Sequence, residues 1–293
     1  MKNYKTISNC PVCNTTEFTK FIECVDYTVS HDKFTIVECN GCNFHFTNPI
    51  PVVEEIGEYY KSESYVSHSS TNKGLINKIY QQVRKFTLKQ KVKLISKHSN
   101  GKNHLDIGAG TGHFINATTQ AGFNTIGLEP DEDARQLAID THKVNIQPLE
   151  NLYTLDDNSM DVITMWHVLE HVYDLQKDLK QISSVLKQDG VMFVAVPNMN
   201  SFDAKHYKEH WAAYDLPIHL YHFTPNDIKT LFSQFNMEVS EILPMKFDSY
   251  YVSMLSEKYK NGNIVSAFFN GLKSNLKANT EEYSSQIYIL RKK

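Results

Sequence analysis

Apolar positions fall into two periods along this chain. In its middle, short apolar runs at His104–Ile107, Asn124–Leu128, Asp161–Met165 and Val191–Val196, with a weaker one at Val144–Gln147, predict strands. Between them Gly112–Ala121, Asp131–Thr141 and Asp174–Lys187 predict helices. That alternation makes βαβ units, so the expected class is α/β, a doubly wound, mostly parallel sheet with helices on both faces. Upstream, Ile76, Ile79, Val83 and Phe86 recur at spacings of three and four, and Val92 and Ile95 resume them, predicting an amphipathic connecting helix. Downstream, Thr224 with Pro225 and Asp227 is a helix start. Further strands are expected at Met237–Leu243 and Gln286–Leu290, with helices at Ser249–Glu257 and Ile264–Leu276 between them.

The chain has 293 residues, 41% hydrophobic, enough for a sizeable core. Its net charge of −3 excludes a whole-chain basic footprint for nucleic acid. The charge is uneven, however. Between Ser64 and Leu105 there is no Asp or Glu but nine Lys or Arg, which leaves 21 basic against 33 acidic residues elsewhere. A polyanion contact and a solvated helix face are both open readings of that stretch. The apolar run Val191–Val196 is far shorter than the roughly 20 residues of a membrane span, and no apolar leader precedes Cys10. A soluble, cytoplasmic protein is expected.

All five cysteines lie in the first 42 residues. Cys10-Pro-Val-Cys13 and Cys39-Asn-Gly-Cys42 form two short knuckles whose four thiolates suit tetrahedral, structural Zn2+. Short strands are expected at Thr35–Glu38 and Phe44–Thr47, which makes a zinc-ribbon-like module of residues 1–50. Residues 51–101 form a helical basic connector and 102–293 the main domain. Cys24 has no partner in this pattern.

The sharpest signal is His104-Leu-Asp106-Ile-Gly108-Ala-Gly110-Thr-Gly112-His-Phe114, where a strand ends in an acid and turns through three glycines into a helix. Such a turn lets backbone approach a ligand closely. Glu129 ends the next strand, in Gly127-Leu-Glu129-Pro130-Asp131, where a carboxylate accepts from both ribose hydroxyls of an adenosine ligand. The glycine spacing departs from the dinucleotide fingerprint, and Asp106 would repel a pyrophosphate while suiting a cationic sulfonium ligand.

These segments, with Asp161–Val172, Leu186–Asn198 and Pro217-Ile-His-Leu-Tyr-His-Phe-Thr224, resemble the ordered motifs of class I S-adenosylmethionine-dependent methyltransferases. The similarity is to the small-molecule branch that includes quinone-biosynthesis O-methyltransferases. The resemblance spans roughly residues 100–245. It implies a Rossmann-like seven-stranded sheet and a cofactor site of Asp106, Gly108, Gly110, Gly112, Glu129, Pro130, Trp166 and His167. Some sugar and ribosomal RNA methyltransferases also carry an N-terminal cysteine–zinc module.

Transfer to an oxygen acceptor needs a base, and the candidates are His171, His219 and His222, with His167 and His210 behind them. Tyr207, Trp211, Tyr214 and Tyr221 are expected either to wall an acceptor pocket or to be core. His167-Val-Leu-Glu170-His171 also fits H-x-x-E-H, in which helical His167 and His171 would bind zinc with Glu170 as base. Three readings thus stand beside small-molecule methylation: an RNA methyltransferase, a non-catalytic cofactor-binding module and, weakest, a zinc peptidase.

Overall fold

The structure is a computed structural model that describes residues 2–60, 75–279 and 282–293, with the side chains of 75–81 outside the description. Lys73, and the side chains of Ile76, Ile79 and Lys78, therefore lie outside the described residues.

Five parallel strands form the heart of the main sheet: β6 (Asn103–Ile107), β7 (Asn124–Leu128), β8 (Ile146–Gln147), β9 (Met160–Trp166) and β10 (Leu186–Pro197). Two more, β12 (Met237–Pro244) and β13 (Ser285–Lys292), extend it in the order β12-β13-β10-β9-β6-β7-β8. Only β13 runs antiparallel to its neighbours. The expected seven-stranded, doubly wound α/β sheet is thus present. Alternation along β10 shows why its sequence reads as a solid apolar run. Met192, Val194 and Val196 enter the core on one face, and Val191, Phe193 and Ala195 enter the core on the other.

Strand β10 starts five residues earlier than its apolar run, and the helix before it (Leu175–Val185) stops before the expected Lys187. Lys187 instead reaches Asp161 at 2.7 Å, and the β9–β10 register slips between Leu186 and Val191 to absorb the polar residues. Helix starts follow local chemistry closely. Thr224 and Asp227 form a reciprocal capping box, and Asp131 and Asp174 accept from Ala134 N and Lys177 N.

At the N-terminus, β2 (Phe18–Val25), β3 (Lys33–Cys39) and β4 (His45–Thr47) make an antiparallel sheet. That sheet is completed by β11 (Tyr221–His222), contributed from about 175 residues away in the main domain, where Tyr221 pairs with Phe46 and His222 with His45. Thr47 strengthens the junction, its N–H donating to Leu220 O at 2.9 Å and its hydroxyl to His219 O at 2.7 Å. Phe44 and Phe46 are fully buried in the same core as Leu231 and Met165, so the cysteine module and the α/β sheet share one hydrophobic interior.

Candidate functional site

The glycine turn between β6 and the helix His113–Gln120 has three left-handed residues, Gly108 (φ 72°), Gly110 (φ 52°) and Gly112 (φ 77°), but they serve different ends. A Cβ on Gly108 would lie 2.3 Å from Val168, and one on Gly112 would lie 2.7 Å from Ala138. Those two glycines permit close packing of neighbouring segments. Gly110 alone opens onto free space. Its N–H donates to Glu129 Oε2 at 2.7 Å, while Glu129 Oε1 accepts from Asp131 N at 3.0 Å. The Glu129 carboxyl is buried beneath the turn, burial raises its pKa, and the bonds from Asp131 and Gly110 oppose that rise. Pro130 is exposed at the rim, and its carbonyl accepts from Arg135 at 2.7 Å.

Asp106 is buried at the carboxyl end of β6. Burial raises its pKa to about 7, opposed by the Thr164 hydrogen bond and the charge of Lys91 and reinforced by Glu129. Thr164 donates to Asp106 Oδ1 at 2.6 Å. Behind Thr164 stands His104, fully buried and neutral, with Nε2 at 2.8 Å from the Thr164 hydroxyl and Nδ1 at 3.3 Å from Thr125. Since Thr164 spends its proton on Asp106, Nε2–H of His104 must donate to Thr164. This directed chain aims a donor at Asp106 from behind. The pattern of the sequence held no sign of Thr164 or His104 in this role.

Trp166 follows on β9, packed edge-on against Phe114, and Lys91 places its ammonium 4.2 Å from the Trp166 ring centroid. Lys91 belongs to the long helix Leu75–His98, so the basic connector reaches the site rather than forming only a solvated face. His167 adopts φ 58° and turns away from the helix expected of H-x-x-E-H. Its Nε2 meets Asp248 at 3.0 Å and its Nδ1 lies 3.3 Å from Glu170 Oε1. Burial works against the charged ring, but the two carboxylates prevail and raise its pKa to about 9.

Only one 3-10 turn, Leu169–His171, follows His167, so His167 and His171 do not share a helical face and the peptidase geometry is absent. Glu170 is fully buried. His171 Nδ1 lies 3.0 Å from both Ile218 O and the Tyr60 hydroxyl, and its ring meets that of His219 edge-on at 4.6 Å. His219 Nδ1 lies 2.9 Å from Ala213 O. His222 is elsewhere: it is buried in β11 with Nε2 at 3.1 Å from Thr47 Oγ1, and burial lowers its pKa to about 3. Tyr207, Trp211, Tyr214 and Tyr221 are all buried core, which resolves that pair of expectations.

The four predicted zinc ligands converge. One ligand atom from each of Cys10, Cys13, Cys39 and Cys42 lies within 4.8 Å of the others. Cys10 and Cys42 sulfurs are 3.6 Å apart and those of Cys13 and Cys39 3.4 Å, close to the roughly 3.8 Å edge of a tetrahedron with Zn–S near 2.3 Å. Val12 N–H and Gly41 N–H point at Cys10 and Cys39 sulfur, as thiolate ligands require. The donor set fits zinc. Cys24 is a buried residue of β2, opposite Phe34 of β3 and outside both knuckles, and burial raises its thiol to about 12.

Comparison with known proteins shows the family. A family profile described as "Methyltransferase domain" matches residues 79–242. The ubiquinone biosynthesis O-methyltransferase of Actinobacillus pleuropneumoniae serotype 7 is 34% identical over 109 residues, which is 33% of this chain and 47% of that protein. A probable S-adenosylmethionine-dependent methyltransferase of Mycolicibacterium smegmatis is 30% identical over 35% of this chain and 40% of its own length. The chain thus spans about half the length of the curated relatives it matches. Among solved structures, phosphoethanolamine N-methyltransferase 2 of Haemonchus contortus has TM-score 0.55 at 15% identity, over 85% of this chain and 62% of that one. A sarcosine dimethylglycine methyltransferase from Galdieria sulphuraria has TM-score 0.51 at 14% identity, over 70% and 83%.

Proposed function

The chain belongs to the methyltransferase-domain family and is an S-adenosylmethionine-dependent methyltransferase; from that premise we propose that it methylates an oxygen of a small molecule, a quinone precursor, a sugar or a polysaccharide-related group. One observation carries the reading. Glu129 follows the carboxyl end of β7 and Trp166 ends the parallel strand β9, and five residues after Trp166 the ring of His171 meets that of His219 edge-on. We assign the ribose to Glu129 beside Pro130, the methionine portion to the turn of Gly108, Gly110 and Gly112 above Asp106, and the sulfonium side to Trp166 and His167. Bound S-adenosylmethionine supplies a methyl group on an already activated leaving sulfur, so the protein's task is alignment and proton removal. Burial lowers the pKa of both His171 and His219, leaving each ring free to take the acceptor's hydroxyl proton near neutral pH. His222 is the least suited of the three, because Thr47 occupies its Nε2.

In the same reading residues 1–50 are a zinc ribbon, 51–101 a connector and 102–293 the methyltransferase domain. The cysteine cluster is structural, since four thiolates leave no position open for chemistry. Thiols kept for zinc suit a reducing compartment such as the cytoplasm. Among the described residues no helix is long and apolar enough to cross a membrane. The relatives' names favour a small molecule over RNA.

Calorimetric titration of the zinc-loaded protein with S-adenosylhomocysteine, with NAD as control, tests the cofactor. Labelled methyl donor offered to metabolite and RNA pools then tests the acceptor. Methyl incorporation into RNA alone, falling steeply with salt, would replace the small-molecule reading.

A further inference from the structure

Glu170 presents an unusual situation. It is fully buried, and neither carboxylate oxygen receives a hydrogen bond, although the His167 ring stands 3.3 Å from Oε1. The His167 ring offers one partner at Oε1, but Oε2 has none, and a buried carboxylate oxygen left so is costly unless a further cation completes it. One ligand atom each from Glu170, His171 and His219 lies within 4.8 Å of the other two. In both histidines Nδ1 faces a backbone carbonyl, that of Ile218 for His171 and that of Ala213 for His219. A carbonyl only accepts, so each Nδ1 carries the proton and each Nε2 keeps its lone pair. Among the described residues no hydrogen bond reaches either Nε2. Imidazoles whose far nitrogen donates to a carbonyl, gathered round a carboxylate, are how proteins hold a metal with one or more positions left open.

We propose that Glu170, His171 and His219 form a second metal centre, separate from the cysteine cluster, that takes a divalent transition-metal ion such as Zn2+ or Co2+. Two imidazoles and one carboxylate suit such an ion better than Mg2+ or Ca2+, which prefer all-oxygen shells. His167 braces the Glu170 carboxylate from the side opposite Asp248, and Leu220 N–H fixes the Glu170 backbone by donating to its carbonyl at 2.7 Å. The ligands are the second half of the H-x-x-E-H segment, but with Glu170 as ligand instead of base and His219 in place of His167. Resting on the methyl-transfer reading, the ion's role is to bind the acceptor's oxygen and lower the pKa of its hydroxyl, which releases its proton to solvent. With the ion bound, both Nε2 lone pairs are taken, so in this centre the ion replaces His171 and His219 as the source of proton loss and the imidazoles orient it.

The test is titration of protein carrying one equivalent of zinc with Co2+, followed by optical absorption and metal analysis, with S-adenosylhomocysteine affinity measured on the same samples. Cobalt on imidazole and carboxylate shows visible ligand-field bands without thiolate charge transfer. A saturable second equivalent with those bands is expected in the wild type and is lost in Glu170→Gln and in His219→Asn, while S-adenosylhomocysteine binding persists in both. Failure of the wild type to take a second equivalent, or bands with thiolate charge transfer only, overturns the proposal whatever the variants do. So does retention of the second equivalent in both variants. S-adenosylhomocysteine binding without a second ion keeps methyl transfer and removes this centre. A second ion without S-adenosylhomocysteine binding keeps the centre and removes the role given to it.

Discussion

The cradle around Glu129 and the cluster around Glu170 both hold a buried glutamate, yet they are built in opposite ways. Glu129 accepts from backbone N–H groups at positions 110 and 131, all within one strand–turn–helix unit and its neighbour. Glu170 accepts no hydrogen bond, and its surroundings come from Tyr60, His167, Ala213–His219 and Asp248, segments far apart in the chain. In our proposal the locally satisfied carboxylate is the one that receives a neutral ribose. The one whose Oε2 has no partner, beside His171 and His219, is the one we propose as a receptor for a cation.

Five substitutions and one pH profile test this contrast. The largest effect is expected for Cys39→Ser. Structural zinc in small modules contributes about 10 kcal/mol or more of folding energy, and β3 and β4 are joined through β11 to the His219 segment. Loss of the zinc and a large fall in Tm should therefore disturb the acceptor side. A variant that loses zinc yet keeps its melting temperature would show the module to be independent of the main domain.

Gly108→Ala comes next. It adds the left-handed penalty of about 1–2 kcal/mol to a clash with Val168, roughly 3 kcal/mol together, which chemical denaturation would register. Glu129→Ala should weaken S-adenosylhomocysteine binding by ~1.5–3 kcal/mol, the range for a charge-assisted hydrogen bond. Unchanged affinity in calorimetry would remove Glu129 from the ribose site. Gly110→Ala should cost only the backbone term, about 1–2 kcal/mol of stability, because its Cβ meets no neighbour. Its larger effect would be on cofactor affinity, where that open space is used.

The smallest effect is a pH dependence from Asp106. Its pKa is raised to about 7 from an ordinary 3.8, first by burial, so free protein carries it partly protonated at neutral pH. The raised value is a stability contribution present below 3.8 and lost as pH rises through about 7. Binding of a ligand with an ammonium group works the other way, so S-adenosylhomocysteine affinity should rise with pH up to about 7 and level above it. Asp106→Asn should flatten that profile. A flat profile in the wild type would place the ammonium away from Asp106.

Much of the α/β half is legible in the amino-acid sequence. Period-two burial on both faces of β10, the Thr224–Asp227 capping box and the left-handed glycines are each dictated within a few residues, so the residues themselves report them. The cysteine ligands are equally readable, because C-x-x-C spacing sets which sulfurs can meet. His171 and His219 were visible as candidates, while the partners that give them meaning were not. The four large aromatics of the 207–221 region read equally well as pocket wall or core, and only their packing against Tyr59, Leu216 and Phe44 decides for core. Nothing in the pattern marks Lys91, Thr164 or Asp248, which look like an ordinary basic helix, an ordinary strand residue and an ordinary helix start.

Short-range sterics and hydrogen bonding, readable residue by residue, dictate the sheet, the glycine turn with its two acids and the four-cysteine knuckles. The tertiary structure alone decided that β11 would seal the cysteine module to the main sheet. It also decided that the turn after β9 would be one left-handed residue and a 3-10 turn rather than a helix, and that a buried Glu170 would face two imidazoles held by carbonyls from another loop. Those outcomes depend on which distant segments share a core, a long-range packing choice that no local period encodes.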